Sequence, residues 1–98
     1  MPDDTKKEEI KIAVNRDMLK GVYANQMRVQ HSNNEFVFDF MFITPPEGTL
    51  TARVVVSPAM VKGIQEALAD NISRYEKTYG DIKKVVEKKY EIGFQSQS

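Results

Sequence analysis

Cysteine is absent from the 98 residues, which removes disulfides, thiolate nucleophiles and zinc–thiolate sites together. A single histidine, His31, excludes a histidine-rich metal site within one chain, so no metal or other cofactor is expected. Charge of one sign is missing as well. The 14 lysines and arginines balance 14 aspartates and glutamates, so no global basic field announces a nucleic-acid binder. No apolar run approaches the roughly 18–20 residues of a membrane-spanning helix, and the opening "MPDDTKKEEI" carries no apolar signal core. No membrane partner is expected, and the cytoplasm is the expected compartment. Internal repeats and low-complexity tracts are also missing.

What is present reads as one small globular domain. Apolar residues make up 41% and charged residues 29% of the chain, which is globular rather than disordered composition. Residues 1–8 are charged and aperiodic, a tail; residues 9–82 read as a single α+β domain; residues 83–98 form a C-terminal extension. In "EIKIAV", Ile10, Ile12 and Val14 alternate, which predicts a short first strand. "NRDMLKG" interrupts it, and Gly21 marks the end of the connection. Three more strands are expected over residues 23–32, 35–44 and 49–56. The fold class is therefore α+β: an antiparallel meander of three to four strands followed by one long C-terminal helix packed on one sheet face.

The most hydrophobic stretch, "NEFVFDFMFITPP", contains an aspartate, Asp39, at its centre. Strand parity accounts for it. If Asn33-Asn34 form a two-residue hairpin turn, asparagine tolerating the positive φ such turns demand, counting back sets Arg28 opposite Asp39. The turn Pro45-Pro46-Glu47-Gly48, with glycine in the left-handed position, leads into the next strand. Phe36, Phe38, Phe40 and Phe42 then share one face with Leu50, Ala52, Val54 and Val56. Asp39 points the other way, between Arg28 and Arg53.

Ser57-Pro58 is a helix start, with serine as N-cap and proline at the first helical position. Val61, Ile64, Leu68, Ile72, Tyr75 and Tyr79 recur at spacings of three and four, which predicts a helix from Pro58 to Tyr79 with Gly80 as C-cap. Its stripe is expected to cover the phenylalanine face. Lys62, Glu66, Asp70, Arg74 and Lys77 fall on the far side, where Asp70 and Arg74 can pair. Beyond Gly80, Val85, Val86, Tyr90, Ile92 and Phe94 suit a helix extension, an added strand or docking on a partner.

Several discontinuous elements, Tyr23-Ala24-Asn25, His31-Ser32, Glu35-Phe36, Asp39-Phe40, Ser57-Pro58, Asn71-Ile72, Tyr75-Glu76 and Gly80, are carried by "GVYANQMRVQHSNNEFVFDF" and "RVVVSPAMVKGIQEALADNISRYEKTYGDI". In this order they resemble DUF3467, a family of small bacterial and archaeal proteins of unknown function. The resemblance spans about residues 10–82. It implies no activity, cofactor or catalytic residue.

The candidate binding face comprises Arg28, Asp39, Arg53, Gln26, Gln30, Val37 and Met41. Its bland reading is a structural charge ladder across the central strand; its sharper one has the arginines contact phosphate or a partner carboxylate, with Asp39 fixing their geometry. Flanking arginines would hold Asp39 ionised, so it is not expected to act as a base. His31 reads as a surface residue at a strand end, Ser57 as a cap, and Asn25 and Asn71 as side chains bonding backbone. Tyr75 and Tyr79 read as core or interface residues, and the run Lys83 to Lys89 as a solvated mixed-charge segment.

The sheet face opposite the phenylalanines also carries Ala24, Ile43 and Val55, a semi-apolar patch of the kind that marks an interaction site. No nucleophile, acid–base pair or metal site points to an enzyme. A small binding module, a homodimer, is the expected function. Its most specific form is single-stranded DNA or RNA binding on the face opposite the helix, because strands followed by one helix is the order of small dimeric proteins resembling the Whirly single-stranded DNA binders. The alternative is a protein–protein interaction or assembly module without a nucleic-acid role.

Overall fold

The computed structural model describes residues 7–85 and 88–96. Of the tail 1–8 only Lys7 and Glu8 are among them, and Val86, Glu87 and the last two residues lie outside. The chain divides into two compact units, Met1–Val61 and Lys62–Ser98. Its elements run α1 (Arg16–Leu19), β1 (Gln26–His31), β2 (Phe36–Thr44), β3 (Glu47–Val56) and α2 (Pro58–Tyr79). The three strands form one antiparallel sheet in the order β1-β2-β3, and a long helix follows it. This is an α+β fold.

The expected first strand over 9–14 does not form: residues 7–15 have no regular structure. Alternation makes a strand only where a neighbour's backbone is available, and no described strand pairs with this segment. Part of the interrupting segment is instead the single turn α1, whose N-cap Asn15 accepts a hydrogen bond from the Asp17 amide at 3.0 Å. Gly21 closes the connection at φ 69°, a left-handed backbone that glycine adopts without steric cost.

The first hairpin has the register that counting predicts, His31 opposite Phe36 through Arg28 opposite Asp39. The turn chemistry differs. No residue other than glycine takes positive φ among the described residues, so Asn33 and Asn34 do not use the left-handed region. The Ser32 hydroxyl accepts from the Asn34 amide at 3.2 Å, and the Ser32 amide donates to the Glu35 carbonyl at 2.9 Å, which holds the turn instead.

In the second hairpin the turn is Pro45-Pro46 alone, joined by a cis bond, and Thr44 pairs with Glu47. β3 thus starts two residues before the expected Thr49. Gly48 lies within β3 without positive φ, so the left-handed role assigned to it is wrong. Its lack of a side chain serves a close approach: a Cβ there would sit 3.1 Å from Ile43 Cγ1. Between Phe40 and Met41 the register slips, leaving Thr51 as an extra residue, and the Thr51 hydroxyl donates to the Phe40 carbonyl at 2.8 Å. Beyond this bulge parity inverts. Leu50 faces Met41, so it joins the Asp39 face and not the phenylalanines.

α2 has the predicted bounds, and its ends follow from named groups. Ser57 Oγ accepts from the Met60 amide at 3.3 Å, and Gly80 at φ 93° donates its amide to the Glu76 carbonyl at 2.9 Å. Asp70 and Arg74 pair at 2.9 Å. After Gly80 the Glu76 carboxylate accepts from the Ile82 amide at 2.9 Å, securing the chain as it leaves the helix axis. Residues 81–85 and 88–96 accordingly form neither helix nor strand.

Candidate functional site

β2 is the central strand, so each of its residues has a neighbour on both sides, and Asp39 lies opposite Arg28 on β1 and Arg53 on β3. The three side chains share one face by parity. Asp39 is fully buried, at 0% exposure. Its carboxylate accepts three N–H donors: Arg53 Nε on Oδ1 at 2.6 Å, Arg53 Nη2 on Oδ2 at 3.0 Å, and Arg28 Nη2 on Oδ2 at 3.2 Å. Arg53 engages both carboxylate oxygens side-on, the strongest form of this pairing. The two guanidiniums still reach solvent, Arg28 at 33% and Arg53 at 47% side-chain exposure. A buried anion is thus clamped between two cations whose outer edges are accessible.

The Arg53 guanidinium, above all, holds the Asp39 carboxyl below its ordinary value of 3.8. Burial opposes this by disfavouring charge, and Arg28 adds to the lowering. Asp39 in turn raises the pKa of Arg53. A carboxyl whose folded pKa is depressed stabilises the fold fully above its unfolded pKa, and this contribution drains away as pH falls through the folded value. Urea titrations of wild type and Asp39→Ala between about pH 6 and about pH 2 should therefore show a stability gap that is constant above pH 3.8 and narrows below it. A gap that does not change on acidification would show that the ionised form of Asp39 is not what stabilises the fold.

Around the clamp, Gln26, Gln30, Val37 and Met41 lie on the same face by register. The face is not the open patch expected of it. Met41 is 3% exposed and Val37, Ile43 and Gln26 are half-buried, so Asp39 and Met41 offer no surface to a ligand; Gln30, Val55 and the arginines do. The deepest burial in the sheet thus lies beside the charged residue. On the phenylalanine face Val56 is buried, Phe36, Phe38 and Phe40 are half-buried, and Met27, Val29, Phe42 and Val54 are exposed. Tyr23 packs edge-on against Phe42 with centroids 5.7 Å apart, a contact that strand parity alone did not announce.

Asn25 and Asn71 take structural roles. Asn25 extends the ladder past β1: its Nδ2 donates to the Ile43 carbonyl at 2.9 Å, and its Oδ1 accepts from the Ile43 amide at 2.8 Å. The side-chain amide here replaces a backbone partner. Asn71 Nδ2 donates to the Ala67 carbonyl at 2.9 Å, one turn back along α2. His31 is exposed at the end of β1 and stacks on Phe36 at 5.4 Å. Tyr75 and Tyr79 lie 4.9 Å apart and are exposed. Among the described residues no cluster of His, Cys, Asp and Glu could hold a metal ion, and no helix is long and apolar enough to cross a membrane.

No curated protein and no solved structure matches the chain. A family model does, over residues 1–84, a wider span than the motif elements cover. On that match the chain belongs to DUF3467, a family of proteins of unknown function.

Proposed function

We propose that the protein is a non-enzymatic assembly module that completes its core by pairing with a second copy through the apolar stripe of α2. One observation carries this reading. α2 runs 22 residues with an apolar stripe, yet none of its residues is buried, and Leu68 is 59% exposed. Most helical stability in proteins comes from packing an apolar face rather than from propensity. The stripe therefore needs a partner. A second copy meets no charge barrier, because the formal net charge is zero, and a two-fold interface uses the same stripe twice. Sedimentation equilibrium at micromolar concentration should report a dimer. A monomer under those conditions would overturn the reading.

Nothing in the clamp supports catalysis: Asp39 is buried and already accepts three donors, so it is a poor base. The arginines favour a second reading, single-stranded DNA or RNA on their face, because Arg28 and Arg53 both reach solvent beside Gln30. Asp39 already engages both guanidiniums, which weakens this reading relative to assembly. Phosphate binding would show as anisotropy that falls with salt, log affinity dropping by roughly 0.7 per phosphate neutralised. Arg28→Ala should flatten that slope. Absence of binding to a single-stranded pool at low salt removes the second reading and leaves the first.

A further inference from the structure

Burial divides the apolar stripe of α2. Val61 and Ile64 are half-buried within the chain, whereas Leu68, Ile72, Tyr75 and Tyr79 are exposed. The four exposed residues follow one another at spacings of four, three and four. That order reads the same from either end, so a second α2 running the other way presents matching levels. Size does not read the same: the aliphatic pair comes first and the aromatic pair second. Tyr75 and Tyr79 already pack on each other, ring centroids 4.9 Å apart and planes tilted by 49°, and form one ledge at the C-terminal end of the stripe.

We infer that two α2 helices pack antiparallel, the ledge of Tyr75 and Tyr79 on each copy covering Leu68 and Ile72 of the other, which rests on the self-association reading above. In this register Leu68 lies level with Tyr79 of the second copy, and Ile72 with Tyr75. The two-fold axis passes midway between the levels of Ile72 and Tyr75. Each of the four layers then holds one aliphatic and one aromatic side chain, so the helix axes keep one separation along the contact. A parallel pair would set leucine on leucine and isoleucine on isoleucine at one end, tyrosine on tyrosine at the other, and the axes would splay. The repeat of the stripe favours even separation. Val61 to Ile72, Ile64 to Tyr75 and Leu68 to Tyr79 are each 11 residues apart. Such a repeat has a period of about 3.67 residues per turn, close to the roughly 3.6 of a straight helix.

Because the chain has no cysteine, any disulfide formed is an engineered one. Leu68→Cys mixed with Tyr79→Cys should give a covalent heterodimer on mild oxidation, identified by its mass, while neither variant alone should cross-link. In the antiparallel pair the two copies of either position stand 11 residues apart along the axis. That is about 16 Å, beyond the roughly 7 Å between Cα atoms that a disulfide spans. Wild type gives a second readout without any substitution at the contact. In dimers of one isotope-labelled and one unlabelled copy, filtered NOEs should join the Tyr79 ring to the Leu68 methyls, which lie too far apart within one helix to produce them. Cross-links in each single-variant sample, with none joining the two positions in the mixture, would overturn the antiparallel arrangement in favour of a parallel one. A wild-type dimer with neither cross-link nor NOE overturns it too and leaves self-association standing. A monomeric wild type sinks both ideas together.

Discussion

Asp39→Ala lowers the free energy of unfolding by about 1–3 kcal/mol, the cost of stripping two arginines of the acceptor they share. Among the described residues Asp39 alone combines full burial with charge, and the substitution also leaves Arg28 and Arg53 facing each other across β2 without their shared counter-ion. The two arginines reach solvent, so water can recover part of the loss; this favours the lower half of the range. Arg28→Ala removes one donor of three and leaves the Arg53 fork in place, so it costs less than Asp39→Ala. In urea titrations the double variant should lose less than the sum of the singles, by about 0.5 kcal/mol or more. Strict additivity would mean that the 3.2 Å contact between Arg28 and Asp39 contributes nothing to folding. Asp39→Asn refines the result: it keeps the shape and removes the charge, so a loss close to that of alanine assigns the effect to electrostatics.

The clamp was legible before any coordinates because it depends only on strand parity and one short turn. Period two separates Asp39 from its phenylalanine neighbours, and the Ser32–Glu35 connection sets the Arg28 register. Both bounds of α2 were legible for a similar reason, since a serine cap, a proline and a glycine are local signals. Failures came where local pattern needed a distant partner. Ile10, Ile12 and Val14 have the alternation of a strand, but alternation says nothing about whether an edge is there to receive it. Leu50 changed face because of Thr51, and a bulge has no reliable sequence signature when the residue concerned is an ordinary strand former. Burial was the hardest to read. Asp39 and Met41 sit in the most covered part of the sheet although charge and face assignment pointed to an open surface, so the residues beside a buried ion pair can be core. That result also rules out Met41→Lys as a clean probe of association, because it would force a charge into a closed site.

Leu68→Lys combined with Ile72→Lys tests assembly where nothing buried is disturbed within the chain. Both residues belong to the apolar stripe of α2 and both are exposed. Burying such a side chain is worth about 1.5–3 kcal/mol, and a two-fold interface contains each substitution twice. The dimer should therefore weaken by more than about a hundredfold, which sedimentation equilibrium reads as monomer across the micromolar range. Helicity should follow. If α2 owes its stability to packing against a second copy, its far-ultraviolet circular dichroism falls on dilution of wild type in step with dissociation, and the double variant starts at the diluted value. The sheet supplies an internal control, since amide signals of β1, β2 and β3 should persist in the variant and separate loss of assembly from loss of folding. Substituting Lys62 and Glu66 on the opposite side of the helix by alanine should change neither mass nor helicity. A double variant that remains dimeric would remove α2 as the interface. Helicity independent of concentration in a dimerising wild type would show that the helix is stable before it meets its partner.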